Sequence, residues 1–148
     1  MDPEAELETF IARFSDAVAI EIRANRSEMR AFLPGALELV YDNYNALAIG
    51  YSPSERASDI VFSIAAYPRW VSLFLVGGPR LNDPNGLLKG TGGTMRHIVL
   101  AAQHQLSHPA VRDLMAQAIV LAGNPFDGTH PTRTIVKSIS AKQRSRRP

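Results

Sequence analysis

The sequence predicts an α+β fold, in which an antiparallel sheet of about five strands has helices packed on one face. Apolar residues recur at helical spacing up to Phe32, and beyond Pro34 they alternate with polar residues at a period of two. Short turns follow the first and the third of the alternating segments. Such turns favour antiparallel pairing, because parallel neighbours need a crossover of about a dozen residues. One face of the sheet must be covered, and the helices are the cover that the chain offers.

Three helices are expected, two before the sheet and one after it. Glu4 to Phe14 begins with acidic residues, which are favourable at the positive end of a helix. Asp16 to Phe32 is apolar along one face, and Pro34 prevents its continuation. The last helix is expected to begin with Ser107 as its capping residue and to end at Gly123.

Five segments alternate at the period of a strand. They are Leu37 to Tyr41, Leu47 to Tyr51, Ile60 to Ile64, Trp70 to Val76 and Met95 to Leu100. We therefore assign residues 1–123 to a single domain. Residues 124–148 are expected to form a basic tail with one short apolar pair, Ile135 and Val136, that can dock on the domain.

The net charge of +2 divides unevenly along the chain. Residues 128–148 hold six basic residues and no acidic one, whereas the preceding 127 residues hold 10 basic and 14 acidic residues. The domain is thus mildly acidic, and a nucleic-acid contact is expected only through the tail, where Lys142–Arg147 can reach phosphate.

Composition narrows the class of protein further. The chain has no cysteine, which excludes disulfides and thiolate chemistry and fits a reducing compartment. The first ten residues carry acids instead of a basic and an apolar region, so a signal peptide is not expected. No apolar run is long enough to span a bilayer. A cytoplasmic location without membrane contact is the resulting expectation.

The first candidate site lies at the end of the sheet that holds the loop Gly77–Gly93. Six of the ten glycines fall in these 17 residues, which exceeds the ~12–15 residues usual for a structureless connection. Glycine-rich backbone beside basic side chains can form an anion-binding concavity. The candidate anion-binding residues are Arg56, Lys89, Gly90, Gly92 and Arg96, with Arg80 able to join them. The alternative is a flexible hairpin whose Arg96 pairs with Asp59 or Glu55.

The second candidate surface lies at the opposite end of the sheet. Its residues are Asp42, Tyr44, Asn45, Tyr67, Arg69 and Trp70. Aromatic rings interleaved with polar groups are typical of a ligand pocket or a partner interface. Turn chemistry is the alternative, because Asn and Asp tolerate left-handed backbone and rings can cap the edge of a core.

No catalytic or metal motif is recognisable. His104 and His108 have a helical metal spacing, but the glutamate of a zincin is absent and Pro109 indicates that a helix begins there. Glu4 and Glu8 share a helical face and can in principle hold a hard cation such as iron. The hypothesis of an enzyme with an active site near Tyr67 ranks last, because the sequence offers no recognisable nucleophile or general base there. We therefore expect no cofactor and no catalytic residue.

Three segments carry a resemblance to a known family. Ala66–Phe74, Asn82–Gly90 and Arg96–Leu100, in that order, resemble the YdhG-like family, catalogued as domain of unknown function 1801. The resemblance covers about Leu33 to Ala122, and this chain departs from many members at Tyr41–Ala46. It implies a compact two-layer sandwich of frataxin-like type, with no established activity. An iron-chaperone role suggested for the wider family implies acidic ligands, which here are limited to Asp2, Glu4, Glu6 and Glu8.

The leading functional hypothesis is a non-enzymatic binding module for a small anionic ligand or a protein partner. The alternative is an iron-binding protein of frataxin-like type. A homo-oligomer is compatible with either hypothesis.

Overall fold

The computed structural model describes residues 1–101 and 103–148, which contain three α-helices and one six-stranded sheet. The helices are α1 (Pro3–Ile11), α2 (Asp16–Phe32) and α3 (Pro109–Leu121). The strands are β1 (Leu37–Asp42), β2 (Leu47–Ser52), β3 (Phe62–Ala66), β4 (Val71–Val76), β5 (Met95–Val99) and β6 (Arg133–Ile139). Within the described ranges, no helix has both the length and the apolar character needed to cross a membrane.

The sheet has the strand order β5-β4-β3-β2-β1-β6. Neighbours from β1 to β5 pair antiparallel, whereas β6 runs parallel to β1. The predicted α+β class with a mostly antiparallel sheet is confirmed, but the expected number of five strands is wrong, and the parallel pairing of β6 with β1 was not expected. The alternation of apolar and polar residues did not predict the sixth strand, because its apolar pair, Ile135 and Val136, is flanked by basic residues. Its partner also lies about a hundred residues away in the sequence.

The helices cover one face of the sheet. Alternate strand residues, such as Leu47, Ile49 and Ile64, share a buried cluster with Ile22 of α2 and Leu114 of α3. Each of these side chains is almost completely excluded from solvent. Burial of apolar side chains on one sheet face is the main stabilising contribution to a fold of this kind.

The start of α3 differs from the expectation. The capping residue is His108, whose Nδ1 accepts a hydrogen bond from the amide of Ala110 at 3.1 Å. Ser107 instead belongs to a short 3₁₀ turn and donates to a carboxylate oxygen of Glu28 at 3.1 Å. The helix begins one residue later than expected because Pro109, which lacks an amide hydrogen, occupies its first position.

A buried ionic network fastens β1 to the helices. Glu38 is fully buried, and its carboxylate accepts hydrogen bonds from Arg26 at 2.9 and 3.0 Å and from Arg30 at 3.0 Å. The hydroxyl of Tyr51 donates to it at 2.8 Å, and that of Thr134 on β6 at 3.0 Å. Buried charges need this degree of compensation, since an unpaired carboxylate in the interior is very costly.

A second buried ion pair fastens the C-terminal residues. Asp42 at the end of β1 accepts a hydrogen bond from Arg146 at 2.9 Å and one from Arg13 at 3.1 Å. The side chains of Asp42 and Arg146 are each 1% exposed. Arg146 also donates to the carbonyl of Asn43. Residues 140–148 therefore lie against the domain, with one of their cations buried in it.

Candidate functional site

The face of the sheet opposite the helices is concave at its centre. The residues that point to this face on the central strands are small: Ala48 and Gly50 on β2, Ser63 and Ala65 on β3, and Ser72 on β4. The register aligns Ala48 with Ala65 and Ser72, and Gly50 with Ser63. Larger side chains flank them, because Tyr41 lies opposite Ala48 on β1 and Phe74 lies opposite Ser63 on β4.

This depression forms a cavity of about 450 Å³, which we call the trough. It is lined by Asn43, Tyr44, Asn45, Ala46, Ala48, Ser63, Ala65, Tyr67, Phe74, Met95 and Ser140. Its volume falls within the range of about 300–1,000 Å³ that is typical of small-molecule sites. At one end of the same face the loop between β2 and β3 folds back, and Ile60 packs over Gly50 so closely that a Cβ atom there would lie 2.6 Å from its Cδ1.

Aromatic rings form the walls of the trough. Tyr67 stacks on Trp70 with 4.9 Å between ring centroids, and burial raises the pKa of its hydroxyl. The ring of Phe74 packs against the ring of His97 on β5, with 5.2 Å between the ring centroids. None of the eleven lining residues is charged. The trough is thus an aromatic and amide-lined site, which suits a planar ligand better than a charged metal ion.

The rim at Asn43–Asn45 is held in place by the C-terminal residues. The amide of Asn43 donates to the carbonyl of Ala46 at 2.9 Å, which closes the turn. The carbonyl of Tyr44 accepts from the amide of Arg144 at 2.9 Å, and the Arg144 guanidinium lies 5.6 Å from the Tyr44 ring centroid. These contacts fix one wall of the trough relative to its floor.

Tyr41 carries a polar group without a partner. Its hydroxyl is buried and forms no hydrogen bond with any described residue, and burial raises its pKa. Buried polar atoms in folded proteins are nearly always hydrogen-bonded, so an orphaned hydroxyl requires an explanation. Tyr41 lies on the same face as the floor of the trough, directly opposite Ala48.

The second predicted surface coincides in part with the trough. Tyr44, Asn45 and Tyr67 line it, and Trp70 adjoins it through the stack with Tyr67. Arg69 is exposed in the turn between β3 and β4. Asp42 is separated from the others, because alternation along β1 directs its side chain to the helix face, where it pairs with Arg146.

The first predicted set is not gathered into one concavity. Lys89 pairs with His97 on the outer edge of β5, with backbone N–O distances of 2.8 and 3.0 Å, and Gly90 follows with a φ of +106°. Gly92 is exposed in the same loop. Arg56 lies in the loop between β2 and β3 and pairs with Asp59 at 3.4 Å. At about 4.8 Å per strand, β3, β4 and β5 separate Arg56 from Lys89.

Arg96 lies on the opposite face of β5 from His97, since successive side chains alternate along a strand. Its stem packs on Gly78, and its guanidinium donates to the carbonyl of Met95 at 3.2 Å. It forms no ion pair with Asp59 or Glu55, the partners expected for it. The expected flexible hairpin instead carries Arg96 on one face of the edge strand and Lys89 on the other.

A separate cleft occupies the end of the sheet next to α3. It has a volume of about 450 Å³ and contains Asp59, Arg80, Ile60 and Leu121 among its lining residues. Arg80 is the predicted accessory residue that reaches it; the five residues of the first predicted set do not line it. The Asp59 carboxylate is already engaged by the Ser54 hydroxyl at 2.6 Å.

The residues proposed for metal binding are engaged with protein partners. Glu4 bonds to Arg26 and Arg30, and the hydrogen bond from Arg26 lowers the pKa of Glu4. Glu8 pairs with Arg23 at 3.1 Å. His104 pairs with a carboxylate of α2, and His108 caps α3. Within the described part of the chain, no group of three or more His, Asp or Glu is arranged to hold a metal ion.

The floor of the trough was not anticipated. Its signal in the sequence is a run of small residues at alternate positions of two adjacent strands, Ala48 and Gly50 followed by Ser63 and Ala65. In comparisons with known proteins, the chain matches no protein-family model, no curated protein and no solved structure.

Proposed function

We propose that this chain is a non-enzymatic binding module whose small-molecule ligand occupies the trough on the free face of the sheet. The observation that supports the proposal is the combination of a floor of small residues with aromatic walls around a volume of about 450 Å³. A ligand of that size would contact Ala48, Ser63 and Ala65 on one side and the rings of Tyr67 and Phe74 at its edges. Sites of this kind are mostly apolar, with a few polar groups that orient the ligand.

The lining residues favour binding over catalysis. Asn43, Asn45, Ser63 and Ser140 supply hydrogen-bond donors and acceptors, but none of the lining residues is an acid, a histidine or a lysine that can transfer a proton near neutral pH. The unpaired Tyr41 hydroxyl, one strand away from the floor, is buried, and Tyr41 is not among the lining residues.

A filling substitution tests the proposal. Ala48→Leu adds three carbon atoms to the floor of the trough without entering the helix-covered core. Ala31→Leu, on the exposed side of α2, is the matched control. We expect a thermal-shift screen with aromatic metabolites to give hits that stabilise the parent and Ala31→Leu but not Ala48→Leu; a ligand at about 100 times its Kd stabilises by about 2.7 kcal/mol. Hits that stabilise all three proteins equally would place the binding site elsewhere.

Several earlier expectations stay predictions. Membership of the YdhG-like family, the frataxin-like sandwich that it implies and a cytoplasmic location are among them. The anion site of the first predicted set also stays a prediction, although its residues lie on different faces and loops. The iron-binding alternative gains no support, since Glu4 and Glu8 are paired with arginines.

A further inference from the structure

Beyond the edge of the trough nearest β5, the cross-strand neighbours lead to a lysine. His97 lies directly opposite Phe74 in the β4–β5 register, and their rings are in contact. On its other side His97 forms an antiparallel bridge with Lys89. Directly paired residues of antiparallel strands project to the same face of a sheet. The side chains of Phe74, His97 and Lys89 therefore follow one another across the free face, leading outward from the floor of the trough.

The charge of Lys89 is not compensated. It forms no ion pair with any residue in the described ranges, whereas most of the arginines near the helices are paired. The trough itself contains no carboxylate. A ligand anchored among the rings would therefore meet no carboxylate in the trough and an exposed ammonium group at the β5 edge.

The left-handed backbone at Gly90 lets the chain lie close to the imidazole ring of His97. Gly90 has a φ of +106°, and a Cβ atom there would lie 3.3 Å from Nδ1 of His97. A larger residue would press on the imidazole ring and would also be strained at this φ. The glycine therefore lets the chain pass close to His97 directly after Lys89, so that Lys89 stays paired with His97.

We infer that the trough selects an aromatic anion: a planar ring system lies over the Ala48–Ala65 floor, and its carboxylate, sulfonate or phosphate group pairs with Lys89. This inference rests on the proposed function, because it names the ligand class of the same site. Arg144 at the opposite rim lies 5.6 Å from the Tyr44 ring centroid, and Arg69 is exposed in the turn between β3 and β4. Of the cations near the trough, Lys89 is the one that the strand register places in line with Phe74 and His97.

Two dyes of matched shape test the inference. The probe 1-anilinonaphthalene-8-sulfonate carries a sulfonate, and N-phenyl-1-naphthylamine has the same rings without it. In fluorescence titrations of the full chain we expect the anionic dye to bind at least about tenfold more tightly than the neutral one. Lys89→Met should weaken the anionic dye about 5–10-fold and leave the neutral dye unchanged, as expected for loss of one charge contact.

Controls separate the two levels of the inference. Lys142→Met removes an exposed lysine of the C-terminal segment and should change neither titration, which excludes an effect of net charge alone. Ala48→Leu should weaken both dyes. If both dyes bind, Ala48→Leu weakens both and Lys89→Met weakens neither, the trough is the site but the inferred ligand class is wrong. If Ala48→Leu has no effect on either dye, the trough is not the site and the proposed function fails with it. A loss of sulfonate binding in Arg144→Met instead of Lys89→Met would overturn the assignment of the anionic end.

Discussion

Arg146 offers a direct test of whether the C-terminal segment is an integral part of the domain. Its guanidinium and the Asp42 carboxylate lie 2.9 Å apart, and each side chain is 1% exposed. Replacing Arg146 by Ala leaves Asp42 buried with Arg13, whose side chain is 43% exposed, and with the Gln143 amide as its remaining partners. Removal of one partner of a buried ion pair typically costs about 3–5 kcal/mol.

The expected magnitude lies at the lower end of that range. Arg13 and Gln143 still compensate part of the charge on Asp42, so we expect Arg146→Ala to reduce the free energy of unfolding by about 3 kcal/mol. In a chain of this length that loss corresponds to a fall in Tm of about 6–12 °C. Urea denaturation followed by far-UV circular dichroism measures the first quantity, and a thermal scan measures the second.

A neighbouring arginine and a double-mutant cycle serve as controls. Arg147 is exposed, so Arg147→Ala should change the stability by no more than about 0.5 kcal/mol. In an Asp42→Asn background Arg146 has lost the carboxylate that pairs with it, and removing it leaves no buried charge at this position, so Arg146→Ala should there cost at least about 2 kcal/mol less than in the parent. Equal, small losses in Arg146→Ala and Arg147→Ala would refute the burial of Arg146 and the docking of the segment that carries it.

Three further predictions concern the rest of the fold. Tyr51→Phe removes a hydrogen-bond donor from the buried Glu38 and should destabilise the protein by about 1.5–3 kcal/mol in urea denaturation, a loss that a solvated tyrosine would not show. Gly35 and Gly86 both have positive φ, but only at Gly35 would an added Cβ atom lie 2.3 Å from a backbone oxygen. Gly35→Ala should therefore lower the free energy of unfolding by well over the ~1 kcal/mol expected for Gly86→Ala, and equal losses in the two variants would contradict this packing. The Glu4 carboxylate has a pKa lowered from 4.5, so its contribution to the stability of the fold is present above that value and is lost as the pH falls through the lowered pKa. The free energy of unfolding should therefore fall less steeply between about pH 5 and 3 in Glu4→Gln than in the parent. An unchanged pH dependence would exclude the contribution of Glu4.

Much of the antiparallel core was predictable because its information is local. The bounds of α2 agree with the expectation at both ends, and the alternating segments correspond to β1–β5 to within two residues. Hydrophobic periodicity depends on neighbours a few residues apart, so a single sequence carries it. The antiparallel pairing of β1 with β2 and of β3 with β4 followed in the same way, because their turns are too short for the crossover that a parallel pair needs.

The sixth strand and the burial of Arg146 depended on contacts across the whole chain. β6 is stabilised by pairing with β1 and by the bond from Thr134 to Glu38, and neither partner is near it in sequence. Basic residues with no apolar period favour a solvated tail, and the local pattern of residues 124–148 holds no sign of the buried acid that binds one of them.

The candidate site also combines residues that the sequence predicted with residues that only the tertiary structure brings together. Residue types alone pointed to Tyr44, Asn45 and Tyr67, since aromatic and amide side chains at turns are typical of binding surfaces, and the structure places all three around the same cavity. Only the strand register could show that Ala48, Ala65 and Ser72 form one row, and that Lys89 and Arg96 lie on opposite faces. Concavity and uncompensated charge are properties of surfaces assembled from distant segments, whereas a sequence pattern describes each segment alone.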